Sequence, residues 1–261
     1  MKTFRQQQHR PKKSTLVVGR KLVIEALQSG QQLDRIYLQN NAGGETIDFI
    51  KKLAGEYLVP VNKVPVEKLN SFNINHHEGC VGIISKIQYL DLQQVISFVV
   101  EKGQSPFFII LDGITDIRNI GGIARTALCC GVQAIIIPEK GVGALQEDAI
   151  LTSAGALEKI AVCRVNSLVK AIDDLHLNGI KVLASDINSG NTLLDTNFKE
   201  PCAVVLGSEE KGIAAPLLKI SDASFKIPMQ AAFDSLNVSV ATGIILFEAM
   251  KQRNFNQVAN G

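Results

Sequence analysis

Two hydrophobic rhythms alternate along the chain. Val23, Ile24 and Leu27 recur at helical spacing, and Gly30 follows as a stop. Residues 35–38 read as a short strand, while over 46–57 Ile47, Ile50, Leu53 and Ala54 fall on one face of an amphipathic helix. Residues 59–63 and 81–86 read as further strands. The alternation predicts a small α/β unit over residues 15–90.

Residues 91–105 carry little turn chemistry before Gly103-Gln-Ser-Pro106 and are assigned to a linker, part of which has the pattern of a helix. Residues 106–261 open on Pro106-Phe-Phe-Ile-Ile-Leu111, an uninterrupted apolar run of the kind that parallel sheets bury on both faces. A helix is expected over 119–130, a strand over 134–137, a helix over 167–178 and strands over 181–185 and 203–206. A last long helix runs from near Ser235 to Gln252. The fold class is therefore α/β, with a mostly parallel sheet flanked by helices.

Composition changes this picture little. With 46% hydrophobic and 20% charged residues, the 261-residue chain can build a sizeable core and has the mix of a soluble protein. The net charge of +2 is small, but Lys2, Arg5, Arg10, Lys12, Lys13, Arg20 and Lys21 all precede the first acidic residue, Glu25. Residues 1–14 are expected to form a basic arm, with Arg5, Arg10, Lys12 and Lys13 as RNA phosphate contacts; a solvated terminus accounts for the same run. The five cysteines are scattered, with no C-x-x-C pair and no His at ligand spacing, so neither disulfides nor a metal site is expected. The basic N-terminus lacks the apolar segment of a signal peptide, and the run over 238–250 is too short for a bilayer and contains Thr242 and Glu248. A cytoplasmic protein with no membrane partner is the expectation.

Three polar segments interrupt the apolar pattern of the second unit. The first, Asn119-Ile-Gly121-Gly122-Ile-Ala-Arg125, follows a strand, where open α/β sheets place their ligand loops. Asn119 is expected to cap the helix, the glycines admit a ligand or another backbone, and Arg125 comes one to two turns in. No G-x-G-x-x-G is present, which leaves a nicotinamide enzyme with little support. In the second, Leu206-Gly207-Ser-Glu209-Glu210-Lys211-Gly212, a buried strand ends in a polar loop whose backbone can read a purine edge. The third joins Ile227-Pro228-Met229 to Ser235-Leu236-Asn237-Val-Ser239. There Asp234 or Ser235 is expected to cap the last helix, leaving Asn237 and Ser239 as polar groups in an apolar first turn that need a ligand or a second subunit as partner. Each segment separately also has a plain structural account as a cap, a packing contact or a charged surface turn.

In this order and spacing the three segments resemble the three motifs of the SpoU (TrmH-like) family of RNA ribose 2′-O-methyltransferases. The likeness covers the whole second unit; the first unit is similar to that family's small substrate-binding domain, with His77-Glu-Gly79 near its His-Gln-Gly. The resemblance implies a trefoil-knotted α/β domain, an exception to the rule against knots. It implies S-adenosylmethionine as cofactor, held largely by backbone around Leu206, Gly207, Ile227, Met229 and Leu236, and a homodimer with the last helix at its interface. Asn119, Arg125, Glu209, Ser235 and Asn237 become the catalytic set. Arg125, always protonated, suits a phosphate clamp and an aid to the developing alkoxide, while Glu209 is the expected base or ordering group. The two-domain layout suits a guanosine of large-subunit rRNA as target. A tRNA ribose is the alternative, and a non-catalytic RNA-binding ribosome-assembly factor is the reading from another class.

Overall fold

The computed structural model describes residues 15–74, 76–143, 145, 147–230 and 235–253. The basic arm with Arg5, Arg10, Lys12 and Lys13 lies outside the described residues, as does Asp234. The chain divides into two units after Ser85.

The first unit holds β1 (Leu16–Val18), α1 (Arg20–Gln28), β2 (Leu33–Gln39), α2 (Glu45–Glu56), β3 (Val61–Val64), α3 (Val66–Asn70) and β4 (Cys80–Ile84). Its four strands lie in the order β1-β4-β2-β3, antiparallel except for the β2–β3 pair. Alternation along β2 sends Ile36 and Leu38, and a register shift between Leu33 and Arg35 also brings Leu33, into a core closed by Val23 and Leu27 of α1 and by Ile47 and Ile50 of α2. The other face packs Leu69, Phe72, Val81 and Ile83, with Tyr37 tilted against Phe72 at 5.6 Å.

The second unit contains β5 (Tyr89–Leu90), α4 (Leu92–Glu101), β6 (Phe107–Asp112), α5 (Ile117–Cys129), β7 (Ala134–Pro138), α6 (Glu147–Thr152) and β8 (Ala161–Val165). It continues with α7 (Leu168–Leu177), β9 (Lys181–Ser185), β10 (Cys202–Gly207), α8 (Ala215–Ile220), β11 (Ala223–Phe225) and α9 (Val238–Gln252). The seven strands run in the order β11-β9-β10-β6-β7-β8-β5, and every pairing is parallel. Period-two alternation divides the central strands between two cores. Phe107, Ile109 and Leu111 join Val204 and Leu206 under α5 and α9, whereas Phe108 and Ile110 join Ala203 and Val205 under α4 and α7. Burial on both faces is why β6 from Phe107 to Leu111 and β10 from Cys202 to Leu206 are apolar without interruption.

Three local expectations are corrected. Residues 91–105 are not simply a linker: α4 buries Leu92, Val95, Ile96 and Val99 against the second sheet, with Asp91 as its cap. The cap of α5 is Asp116, whose carboxylate accepts from the Arg118 N–H at 2.9 Å; Asn119 sits inside the helix. The cap of α9 is Asn237, neither Asp234 nor Ser235: its carbonyl oxygen accepts from the N–H groups of Ser239 and Val240.

Arg253, just past α9, ties this helix to the amino ends of β6 and β10. Its guanidinium donates to the carbonyls of Phe198 (2.6 Å), Ser105 (3.1 Å), Pro106 (3.0 Å) and Glu200 (2.5 Å) and lies 4.6 Å from the Phe107 ring centroid. Hydrogen bonds from a charged donor contribute more than neutral ones, and their loss strands part-buried carbonyls. Arg253→Ala is expected to cost about 2–4 kcal/mol in urea unfolding. A change below about 0.5 kcal/mol, as at an ordinary surface site, would contradict this.

Candidate active site

The ladder between the two central strands ends with Gly207 paired to Asp112. Strand order reverses there: the chain proceeds from β6 to β7 and β8 on one side, and returns to β9, β10 and β11 on the other. In an open parallel sheet the crevice beyond the carboxyl ends at such a reversal is the usual ligand site.

Beyond β10 the chain doubles back. Ser208 N–H donates to Gly212 O (3.1 Å) and Gly212 N–H to Ser208 O (2.8 Å). Asp112 Oδ2 accepts from Ala214 N–H at 2.7 Å, fastening the far end of the loop to β6. A Cβ on Gly207 would lie 2.2 Å from the carbonyl carbon of Gly212, so only glycine permits this closure. Gly121 and Gly122 serve packing: their missing side chains make room for Thr152 of α6 and Ser239 of α9.

A cavity of about 420 Å³ opens between this loop and the segment leading into α9. Leu206, Gly207, Ile227, Met229 and Leu236 all line it, as do Glu209 and Ser235. The sequence reasoning missed Asp186 and Asn188, which also line it after β9. Asp186 Oδ1 accepts from the backbone N–H of Asn188 at 3.1 Å. The rule that singled out the loop after β6, applied to the polar run following residues 181–185, would have found them.

At the rim, three side chains from separate segments close a triangle. Glu209 Oε1 accepts from Asn237 Nδ2 (2.6 Å), Asn119 Nδ2 (3.1 Å) and the Val238 N–H (3.2 Å), and Asn237 Nδ2 also meets Asn119 Oδ1 at 3.0 Å. Asn119 and Asn237 stand beside the cavity without lining it. Arg125 is exposed on α5, outside the lining, and carries no hydrogen bond or ion pair among the described residues. The structure thus brings Asn119, Glu209 and Asn237 into one network, gives Ser235 a place on the cavity wall, and leaves Arg125 apart.

The three buried cysteines are not equipped as nucleophiles. Burial pushes the Cys80 and Cys163 thiols up to about 12 and raises that of Cys202, so all three stay protonated near neutrality. No helix among the described residues is long and apolar enough to cross a membrane.

Residues 106–247 match the model of the SpoU rRNA Methylase family, and residues 16–90 match that of the RNA 2′-O ribose methyltransferase substrate-binding domain. A Bacillus subtilis protein assigned to the TrmH family of tRNA/rRNA methyltransferases is 32% identical over 238 residues, covering 91% of this chain and 96% of its own. Among solved structures, the fold is similar to the SpoU methyltransferase AviRb of Streptomyces viridochromogenes in complex with AdoMet. That match has a TM-score of 0.58 at 20% identity and covers 91% of this chain and 90% of the other. It is also similar to an AdoMet-bound rRNA methyltransferase of Sinorhizobium meliloti, with a TM-score of 0.56 at 23% identity, covering 91% and 87%.

Proposed function

The chain belongs to the SpoU family of RNA methylases and is an S-adenosylmethionine-dependent RNA methyltransferase, and from that premise we propose that it methylates a ribose 2′-hydroxyl of a guanosine in large-subunit rRNA. The observation that carries the reading is the hydrogen-bonded triangle of Asn119, Glu209 and Asn237, which joins the first motif segment to the rim of a cavity walled by the second and third. A tRNA ribose is the second reading, favoured by the mixed tRNA/rRNA naming of the Bacillus subtilis relative.

The cavity fits the cofactor chemically. Leu206, Ile227, Met229 and Leu236 offer apolar walls for a purine, the loop from Gly207 to Gly212 offers backbone donors and acceptors, and Asp186 offers a carboxylate suited to ribose hydroxyls. When bound, S-adenosylmethionine supplies a methyl group on a sulfonium sulfur. The protein's task is alignment and removal of the hydroxyl proton. Because Glu209 Oε1 already accepts three hydrogen bonds, we assign Glu209 to holding Asn119 and Asn237 in place in preference to acting as base. Ser235 on the wall orients the ribose. Arg125, exposed and always charged, clamps the neighbouring phosphate and offsets charge developing on the 2′-oxygen.

Two parts of the proposal concern assembly. Val240, Ile244 and Phe247 of α9, spaced along one stripe, are 53%, 40% and 56% exposed, which supports a homodimer built on this helix. The threading of the segment after β11 past the loop after β10 as a trefoil knot is supported by family membership and by the side-by-side placement of these two segments around one cavity.

The test is to incubate the protein with labelled S-adenosylmethionine and either unmodified large-subunit rRNA or bulk unmodified tRNA, then map the labelled nucleotide. Label on a guanosine 2′-oxygen of the rRNA is expected. Label confined to tRNA would establish the second reading, and no transfer to either would favour an assembly factor.

A further inference from the structure

A second hollow lies wholly within the first unit. Its volume is about 600 Å³, and it is lined by Arg20 of α1, Gln39 of β2 and His76, His77, Glu78 and Gly79 before β4. Apart from Gly79, every lining residue carries a polar side chain. Specific bonds hold the three segments together. Arg20 Nε donates to the Glu78 carbonyl at 3.0 Å, and the Arg20 backbone N–H donates to Glu78 Oε2 at 3.2 Å. The start of α1 is thereby capped from within the fold. Gly79 N–H donates to His77 Nδ1 at 3.0 Å, which puts the His77 proton on Nε2, facing Asn70 Oδ1 at 3.0 Å.

This turn keeps an unfavourable backbone. Asn73, His76 and Glu78 are non-glycine residues with φ of 56°, 61° and 50°. Left-handed conformations at such residues persist only where the surroundings over-determine them, and they gather at binding sites. Among the described residues, the terminal guanidinium nitrogens of Arg20, the side-chain amide of Gln39, the His76 ring and Glu78 Oε1 have no hydrogen-bond partner. The lining therefore presents a forked cationic donor, a free carboxylate oxygen, an amide and an imidazole around one space.

Resting on the RNA-methyltransferase reading, we propose that this hollow binds an unpaired guanine of the RNA substrate, distinct from the nucleotide that is methylated. Guanine offers two acceptors, O6 and N7, on one edge, which match the Arg20 fork. Its N1–H and N2–H donors on the adjacent edge match Glu78 Oε1, and they are exposed only when the base is unpaired. The His76 ring supplies a stacking face and Gln39 a further donor and acceptor. Adenine turns its amino donor toward the arginine, and pyrimidines lack the N7 acceptor, so the pattern discriminates against them.

The full-length protein is titrated with GMP, AMP, CMP and UMP while the histidine ring signals are followed by NMR. It is then titrated with fluorescent hexauridylate and with the same hexamer carrying one central guanosine. GMP is expected to shift the His76 and His77 signals selectively, and the guanosine hexamer to bind about tenfold more tightly. Glu78→Gln and His76→Ala, which change exposed groups, are expected to reduce that preference to below about twofold. Equal affinity for the two hexamers, or a preference unchanged in both variants, overturns the proposal. S-adenosylmethionine binding is measured on the same samples by calorimetry. Cofactor binding without guanine preference removes this site and leaves the methyltransferase reading standing; guanine preference without cofactor binding does the reverse.

Discussion

Gly207→Ala is expected to raise the dissociation constant for S-adenosylmethionine by about 100-fold or more and to destabilise the second unit by about 3 kcal/mol. The new methyl group would sit 2.2 Å from the carbonyl carbon of Gly212, 2.4 Å from its oxygen and 2.4 Å from the nitrogen of Ile213. All three are backbone atoms, so no side-chain rotation relieves the clash. The loop would have to open, losing the paired bonds between Ser208 and Gly212 and shifting the cavity wall. Gly212→Ala is the informative contrast. Nothing lies within 4 Å of a Cβ there, and the only penalty is its φ of 65°, worth about 1 kcal/mol. Calorimetric titration and thermal unfolding of the two variants should therefore separate widely. Similar behaviour of the pair would refute the close-packed loop.

The second large effect concerns the triangle. Glu209→Ala leaves the side-chain amides of Asn119 and Asn237 and the N–H of Val238 without their shared acceptor. Removing hydrogen bonds to a charged acceptor costs about 1.5–3 kcal/mol each before compensation by water, so a fall in kcat/KM of roughly 100-fold is expected. Because the three side chains act as one unit, adding Asn119→Ala to Glu209→Ala should cost much less than the two single losses combined. The coupling in a double-mutant cycle should fall at about 1–3 kcal/mol. Strict additivity would show that Asn119 and Glu209 work separately. Glu209→Gln should keep the shape of the pH–rate profile if the carboxylate positions its neighbours; loss of the acidic limb would restore it as the base.

Much of the fold was legible because burial on both faces leaves a plain trace. The run from Pro106 to Leu111 has no polar residue to place, and only a central parallel strand such as β6 consumes it whole. By contrast, α6 and β8 went unread, since the helix is a single short piece and Arg164 interrupts the apolar pattern of the strand. In that buried strand the Arg164 guanidinium lies 3.5 Å from the Tyr89 ring centroid on the neighbouring edge strand. The helix caps show a different limit. Asp116 and Asn119 are both competent caps three residues apart, and only the bond from Arg118 N–H reveals which one is used. Asn237 looked like a polar residue stranded in an apolar first turn, and is in fact the cap of α9 and a corner of the triangle. The cavity walls around Leu206, Gly207, Ile227, Met229 and Leu236 could be read from the chain through family resemblance, whereas the wall after β9 and the bond network connecting residues 119, 209 and 237 emerge only once the strands are ordered.

That order also has a temporal side. Phe107 pairs with Cys202, about 95 residues further along, and nothing synthesised in between occupies this side of β6. At about 5–20 residues per second on the ribosome, the Phe-Phe-Ile-Ile-Leu strand waits roughly 5–20 seconds with one row of peptide groups unmatched. During that interval the middle of the eventual sheet is an exposed apolar edge, the kind most prone to pair with another chain. The nascent protein should therefore lean most heavily on chaperones between emergence of β7 and emergence of β10, and ribosome-bound fragments halted in that window should aggregate more than those halted after residue 253.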